Sequence, residues 1–284
     1  METKILNNGV EMPVLGFGVY QVDEAICERC VSEALAAGYR SIDTAAAYMN
    51  ERAVGRAVRR SGIPRGELFI TTKLWVQDAG YESAKRAFAA SLERLQLDYL
   101  DLYLIHQPFG DVYGAWRAME ELYREGKVRA IGVSNFQPDR LVDLILHNEV
   151  VPAVNQVETH PFCQQAEEIG IMARCGVQAE AWAPFAEGRN NLFGNEVLTD
   201  PSIFSAIRSL CTDLGMTTMP RWISQRRTTC ATDLRCFAAR SDFTLPPEDM
   251  ARIAALDMKQ SCFLSHRDPQ TVEWLGTMKY DLDK

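Results

Sequence analysis

Three ionisable side chains stand at the ends of short apolar segments of the chain. From there they could take part in acid–base chemistry. They are Asp43, Lys73 and His106. A charged aspartate or lysine beside buried apolar residues is costly unless the two neutralise each other or serve a reaction. Each position alone is explained by a structural role, either a buried ion pair or a hydrogen-bonded wall histidine. Their coincidence on successive segments favours a functional site.

Polar residues close the next segments in the same way. They are Ser134 and Asn135, then Asn155, Gln156 and Glu158, and lastly Trp182. The carboxyl ends of the strands of a parallel barrel gather at one rim, and the active sites of such barrels lie there. If the segments are parallel strands, all of these side chains meet at one end of the molecule.

The segments that carry these residues alternate with helical periods. The strand-like runs are 14–18, 39–43, 68–73, 99–106, 128–134, 153–158 and 177–182. Between them lie helices such as 82–95, in which apolar residues recur every three to four positions. Tandem strand-then-helix units require parallel strands joined by right-handed crossovers. The fold class is therefore α/β, either a doubly wound sheet or a closed (β/α)₈ barrel.

The first strand favours the barrel. Gly16 and Gly18 lack the third glycine of a nucleotide-binding doubly wound sheet, and no helix opens directly after them. We therefore predict a (β/α)₈ TIM barrel, preceded by an N-terminal β-hairpin. That hairpin would turn at Asn8 and Gly9, which can supply the positive φ angles of a tight turn.

Composition sets the broad class of the protein. The 284 residues carry 30 Lys and Arg against 38 Asp and Glu, a formal net charge of −8. Hydrophobic residues make up 47%, which excludes whole-chain disorder, and we predict a single domain over residues 1–284. The acidic balance argues against a nucleic-acid partner. No apolar run reaches the ~18 residues of a membrane span and no secretory signal is visible, so we expect a cytoplasmic protein without a membrane partner.

Two of the eight cysteines form a C-x-x-C pair. Cys27 and Cys30 could be a redox pair or half of a zinc site, but residues 23–35 have the pattern of an amphipathic helix. No second C-x-x-C or H-x-x-H completes a metal shell. We predict reduced thiols on one helix face and no metal site.

Five sequence motifs occur in the order and spacing of a known family. They are GYRSIDTAAAYMNERAVG (38–55), TKLW (72–75), LIH (104–106), KVRAIGVSNF (127–136) and NQVETHP (155–161). On these motifs the chain resembles the aldo-keto reductases, with Met49 where Gly is usual. The resemblance runs from about residue 3 to 198 and resumes near 242–276. It is strongest to a bacterial branch related to the diketogluconate and glyoxal/methylglyoxal reductases.

The resemblance implies four catalytic residues: Asp43, Tyr48, Lys73 and His106. Tyr48 would donate a proton to a carbonyl oxygen as hydride reaches the carbonyl carbon. A phenol with a pKa of about 10 is a weak acid near neutrality, and the ammonium of Lys73 would lower that pKa. Asp43 would hold Lys73 charged and in place, and His106 would hydrogen-bond the carbonyl oxygen. The implied activity is reduction of aldehydes and ketones to alcohols.

The resemblance also implies a nicotinamide cofactor, NADPH, with NADH as the alternative. Ser134, Asn135 and Gln156 would bind the carboxamide of the cofactor. Trp182 would stack on the nicotinamide ring, where many relatives have Tyr, and its flat face would order the ring for hydride transfer.

Aromatic residues are the candidate walls of the substrate pocket. Tyr20, Trp75 and Phe109 are predicted to line it, whereas Trp116 lies on a helix and is predicted to be core. Such walls favour small or apolar carbonyl substrates. The tail 265–269 resembles that of the same bacterial branch, which suggests that it folds over the pocket, and relatives of this kind are often monomers, so we expect a monomer or weak oligomer.

Residues 200–241 depart from the family pattern. RWISQR (221–226) is retained, but Arg227 replaces a Gly, and 228–241 contain neither the apolar eighth strand nor the Pro-Lys-Ser that grips the 2′-phosphate of NADPH in relatives. Pro220 would also end the expected helix. Arg235 and Arg240 are candidate substitutes for the missing phosphate ligands. The eighth strand and its loop are therefore the doubtful part of the barrel.

Two other functions are compatible with these features. A barrel with a damaged cofactor site could have lost catalysis and serve as a binding or regulatory protein. A sugar hydrolase would need paired carboxylates, for which Glu158 and Glu180 are candidates, but strand alternation predicts that Glu180 points outward. Carbonyl reduction remains the leading hypothesis.

Overall fold

A computed structural model describes residues 2–184, 186, 217–219 and 247–282. The strands are β1 (Thr3–Ile5), β2 (Glu11–Pro13), β3 (Gly16–Gly18), β4 (Ser41–Asp43), β5 (Phe69–Leu74), β6 (Leu100–Ile105), β7 (Val128–Ser134), β8 (Val154–Glu158), β9 (Gln178–Trp182) and β10 (Thr217–Met219). The helices are α1 (Glu24–Ala36), α2 (Glu51–Arg60), α3 (Tyr81–Leu95), α4 (Val112–Arg124), α5 (Pro138–Leu146), α6 (Ala166–Arg174), α7 (Pro247–Ala254) and α8 (Pro269–Thr277).

Strands β3 to β10 form one parallel sheet in chain order. Each neighbouring pair from β3 to β9 is joined through a helix, α1 to α6 in turn, as right-handed crossovers require. Cα atoms of β10 come within 8 Å of those of β3, so the two ends of the sheet meet. The predicted (β/α)₈ barrel is confirmed.

The N-terminal hairpin lies under the barrel. β1 and β2 pair antiparallel, and the side-chain amides of Asn7 and Asn8 donate to the carbonyls of Pro152 and Arg129. Leu6 and Met12 are buried against a small apolar cluster that includes Leu102 and Val154 of the strands. The hairpin is confirmed, but its turn uses a single positive φ, 83° at Gly9, and not the pair predicted at Asn8 and Gly9.

The eighth strand has a different position from the one expected. It is β10, three residues long, and it pairs with Glu180 to Trp182 of β9, upstream of the retained motif at Arg221. Of residues 200–241, on which the sequence raised doubt, the structure describes only 217–219, and Pro220, Arg235 and Arg240 lie outside the described part of the chain.

Strands β3 to β6 and β8 are buried along their whole length, which gives the site a rigid base. Every residue of β5 and β6 is buried.

Helix α1 begins at Asp23, whose side chain accepts from Ala25 N, and Cys27 and Cys30 are buried free thiols on it, as predicted. Trp116 is fully buried and its Nε1 donates to Val150 O, so the core prediction for it is confirmed. Within the described ranges, no helix combines the length and the apolar character needed to cross a membrane.

Candidate active site

A buried lysine at the end of β5 joins two other predicted catalytic residues. Lys73 Nζ donates to Asp43 Oδ1 at 2.5 Å, to Thr44 O at 3.0 Å and to Tyr48 Oη at 3.2 Å. Asp43 ends β4, and Tyr48 ends a 3₁₀ turn, Ala46–Tyr48, that follows it. In the parallel pairing of β4 with β5, Asp43 lies opposite Thr71, and Thr71 precedes Lys73 by two residues on β5. Adjacent parallel strands therefore present the carboxylate and the ammonium to each other.

Burial decides the protonation states of this group. It raises the pKa of Tyr48 to about 12; the charge of Lys73 acts in the opposite direction but does not outweigh it. Burial lowers the pKa of Lys73, yet Asp43 and Tyr48 raise it by more, so the net shift is upward. The sequence expectation was therefore right about the direction of the Lys73 effect and wrong about the net pKa of the phenol. At neutral pH the phenol carries its proton and the lysine its charge.

His106, which follows β6, is the fourth residue of the group. Its ring lies edge-on to Tyr48 at 5.5 Å and to Trp75 at 5.2 Å between centroids. Burial, followed by the charge of Lys73, holds the pKa of the imidazole well below 6.5. His106 is therefore neutral and can donate one N–H. Its Nδ1 is buried and has no hydrogen-bond partner among the described residues.

The amide and hydroxyl side chains after β7 and in β8 form a connected network. Asn135 Nδ2 donates to His106 O and to Ser134 Oγ, each at 3.1 Å, and Ser134 Oγ donates to Gln156 O. Asn135 has a left-handed φ of 64°, a conformation that Asn tolerates well. Trp182 Nε1 donates to Asn135 Oδ1 at 2.8 Å, which holds the indole at the wall of the site.

Glu180 corrects one sequence prediction. Its side chain is fully buried and accepts from Gln156 Nε2 at 2.9 Å, so it points into the barrel and not outward. Residues i and i+2 of a strand share a face, and Trp182, already placed in the site, was the signal for this orientation. Glu180 and Asp43 share one amide, because the same Gln156 Nε2 donates to Asp43 Oδ2 at 3.0 Å.

These side chains surround a cavity of about 360 Å³ at the rim. Its walls include the predicted residues Tyr20, Asp43, Tyr48, Trp75, His106, Ser134, Asn135, Gln156 and Trp182. Lys73 lies behind Tyr48 and is fully buried. Phe109 lies instead in a neighbouring hollow beside Gln137 and stacks on His266, with 6.1 Å between ring centroids.

The C-terminal segment covers this cavity, as the resemblance suggested. Trp75 Nε1 donates to Met278 O at 2.9 Å, and the rings of Trp75 and Tyr280 pack edge to face at 5.4 Å. The other lining residues from this segment are Phe263, Leu264, His266, Trp274 and Leu275. Beyond the tail 265–269, the sequence did not identify these walls, because they lie far along the chain from the strand ends that they face; Phe263, for example, packs on the ring of Trp182.

A second cluster fastens that segment to the barrel. Glu158, at the end of β8, accepts hydrogen bonds from Ser261 Oγ and from Cys262 N, and lies 2.9 Å from His160 Nε2. His160 Nδ1 accepts from Phe162 N, so Nε2 is the protonated nitrogen and donates to Glu158. We call these residues, Glu158, His160, Ser261 and Cys262, the clasp.

Comparisons with known proteins give a matching family and several similar proteins. Residues 15–218 match the model of the Aldo/keto reductase family. Glyoxal reductase of Bacillus subtilis strain 168 is 47% identical over 264 residues, which cover 90% of this chain and 93% of that protein. Morphine 6-dehydrogenase of Pseudomonas putida is 45% identical over 207 residues, 70% of each chain. The crystal structure of a Bombyx mori aldo-keto reductase in complex with NADP superposes with a TM-score of 0.84 at 26% identity and covers 96% of each chain.

Proposed function

The chain belongs to the aldo/keto reductase family, and we propose that it reduces small aldehydes and ketones with NADPH, using Tyr48 as the proton donor. The observation that carries the proposal is the phenol of Tyr48, which lines the cavity and accepts a hydrogen bond from a buried ammonium 3.2 Å away. Small α-dicarbonyls are the proposed substrate class, because a glyoxal reductase is 47% identical to this chain.

The described residues fit the nicotinamide end of such a cofactor. Trp182 offers a flat ring at the cavity wall, and Gln156 Oε1 accepts no hydrogen bond from the described residues. Ser134, Asn135, Gln156 and Trp182 would hold the carboxamide and the ring. When bound, the cofactor supplies the hydride that reaches the carbonyl carbon. The 2′-phosphate end falls on residues outside the described part of the chain.

Tyr48 supplies the proton that balances the hydride. Negative charge develops on the carbonyl oxygen, and the Oη proton of Tyr48 moves to it. The phenolate left behind is stabilised by Lys73, whose ammonium is fixed by Asp43 and is kept charged by it. Because burial makes the free phenol a weak acid, the ammonium is essential to this transfer.

His106 orients the carbonyl group. Its neutral imidazole lines the cavity beside Tyr48 and can donate one N–H to the same oxygen that receives the proton. A protonated imidazole there would place a second cation next to Lys73, which its lowered pKa prevents at neutral pH.

The finer setting of the protein belongs to the same proposal. We propose a cytoplasmic enzyme that works as a monomer or weak oligomer and as a single domain. Its partners would be the small carbonyl substrate and the cofactor, not nucleic acid, and the net charge of −8 supports that exclusion.

The test is the loss of NADPH absorbance with glyoxal, methylglyoxal and an aromatic aldehyde as substrates. Wild type should turn over, and Tyr48→Phe should lose about 10²- to 10⁴-fold in kcat/KM because the proton donor is gone. Tyr103→Phe is the matched control. Tyr103 is a fully buried phenol of β6 whose hydroxyl has no hydrogen-bond partner among the described residues, so its removal should leave turnover intact.

Equal rates for wild type and Tyr48→Phe would refute the proposal. Titration of the tryptophan fluorescence with NADPH and NADH then separates the alternatives, since Trp75 and Trp182 line the cavity. A chain that quenches on neither cofactor would be a barrel that no longer binds nicotinamide.

A further inference from the structure

One buried acid of the barrel has no part in the proton transfer described above. Glu180 is fully buried in β9, and its Oε2 accepts from Gln156 Nε2. Its other oxygen, Oε1, is buried and has no hydrogen-bond partner among the described residues. An ionised carboxylate with such an oxygen would be costly, so the site favours the neutral acid.

The amide of Gln156 is held between two acids. Nε2 donates to Asp43 Oδ2 at 3.0 Å and to Glu180 Oε2 at 2.9 Å. Asp43 is ion-paired with Lys73 and accepts one hydrogen of the NH₂ group, and Glu180 Oε2 accepts the other, so the two acids together hold the NH₂ group towards them. Oε1 is then the only polar atom of this side chain that remains for a ligand, and Gln156 lines the cavity.

We propose that Glu180 is a positioning residue: it fixes the amide of Gln156 so that Oε1 accepts a hydrogen bond from the carboxamide of a bound nicotinamide cofactor. The inference rests on the proposed function and deepens it, because it assigns the orientation of the carboxamide subsite to an acid that does not line the cavity.

The charge of Glu180 would also distinguish the two redox forms of the cofactor. The charged groups that face Glu180 are Asp43 from β4 and Lys73 from β5, of which Asp43 has the larger effect, while β8 presents the neutral Gln156. Burial and then the charge of Asp43 raise the pKa of Glu180 to about 8. Above that pH an uncompensated negative charge appears under the subsite. The oxidised nicotinamide ring is a cation and the reduced ring is not, so high pH should favour the oxidised cofactor.

The experiment measures binding by calorimetry at pH 7 for wild type, Glu180→Leu and Glu180→Gln. The ligands are NADPH and 2′-phospho-ADP-ribose, which lacks the nicotinamide. Glu180→Leu should weaken NADPH about two- to tenfold, the effect of one lost hydrogen bond, and leave the nicotinamide-free ligand unchanged. Glu180→Gln keeps an acceptor oxygen and should restore NADPH binding to within about twofold. A variant that lost both ligands equally would show a merely structural role and overturn the inference.

A pH series gives the second readout. Between pH 7 and pH 9 the ratio of the NADPH Kd to the NADP⁺ Kd should rise about two- to fivefold in wild type and stay flat in Glu180→Gln. A flat wild-type ratio, or an identical slope in Glu180→Gln, would overturn the role of the charge. If wild type binds no nicotinamide cofactor at all, the proposed function fails. If wild type binds and Glu180→Leu binds equally well, only this inference fails.

Discussion

Two clusters of ionisable side chains occupy the same rim of the barrel, and their polar atoms face different surroundings. Asp43, Lys73 and Tyr48 form the first cluster, and the Tyr48 phenol opens onto the cavity. The clasp is the second cluster, in which Glu158 accepts from His160 and from the C-terminal segment. Both lie at strand ends, and both join a carboxylate to a proton-bearing partner.

The two clusters differ in how many of their polar atoms already have hydrogen-bond partners within the chain. Each oxygen of Glu158 already accepts from the chain, and both nitrogens of His160 are engaged. In the first cluster, Lys73 is saturated, but its partner Tyr48 can still donate its proton into the cavity. A cluster of titratable groups therefore indicates catalysis where one member can still hydrogen-bond to a ligand in a cavity. It indicates a structural role where other residues of the chain satisfy the hydrogen bonds of every member.

The largest effect should come from breaking the ion pair of the first cluster. Lys73→Met leaves the Asp43 carboxylate buried without its cation, which should lower the free energy of unfolding by about 3–5 kcal/mol and abolish turnover. Adding Asp43→Asn removes the uncompensated charge. The double variant should regain most of the stability in urea unfolding but none of the activity. Recovery of turnover by the double variant would show that the cluster is structural, like the clasp.

Removing the centre of the clasp should have a smaller and more local effect. Glu158→Ala deprives Ser261 Oγ, Cys262 N and His160 of their acceptor, which should cost about 1–3 kcal/mol. Because the fastened segment lines the cavity, hydrogen exchange should quicken over residues 261–282 and the substrate KM should rise more than kcat falls.

The control for the clasp is another buried glutamate. Glu120 of α4 accepts from Glu149 N and Val150 N, away from the cavity. Glu120→Ala should lower the melting temperature without changing exchange over 261–282 or KM. If Glu158→Ala loses kcat as severely as Tyr48→Phe does, the clasp takes part in chemistry and the comparison is wrong.

Acid should loosen the covering segment through His266. Burial lowers the pKa of this imidazole to about 4, below the ordinary value near 6.5. The unfolded chain then binds the proton more readily, so the contribution of His266 to stability is complete above about pH 6.5 and is lost as pH falls towards 4. Between pH 7 and pH 5, the free energy of unfolding of wild type should fall by about 2 kcal/mol relative to that of His266→Gln, as measured by urea unfolding at each pH. A difference that does not change with pH would contradict the burial of this ring.

The smallest effect concerns the turn that carries Tyr48. Met49 adopts a left-handed φ of 58°, which costs a non-glycine residue about 1–2 kcal/mol. Met49→Gly relieves that cost but gains freedom in the unfolded chain, so the net stabilisation should be about 0.5–1 kcal/mol. Met49→Ala keeps the backbone cost and should not stabilise the protein in thermal melting. Activity should stay unchanged, since Lys73 and not the turn fixes the phenol; a loss in Met49→Gly would contradict this.

The order of strands and helices and the positions of the four proposed catalytic residues follow from the amino-acid pattern alone. The hydrophobic periods of strands (two residues) and helices (3.6 residues) are local patterns that can be recognised in a short stretch of sequence. In a parallel barrel, a residue at the carboxyl end of a strand, such as Asp43 or Lys73, lies at the rim. The turn residue Tyr48 follows within one short loop, so its place was also accessible from the sequence.

The net pKa of Tyr48 and the walls supplied by residues 263–280 depend on how distant segments pack together. A pKa depends on burial summed over neighbours from many segments, and here that sum exceeds the effect of Lys73. The clasp joins Glu158 to Ser261 across 103 positions, a separation at which no local pattern in the chain specifies a partner.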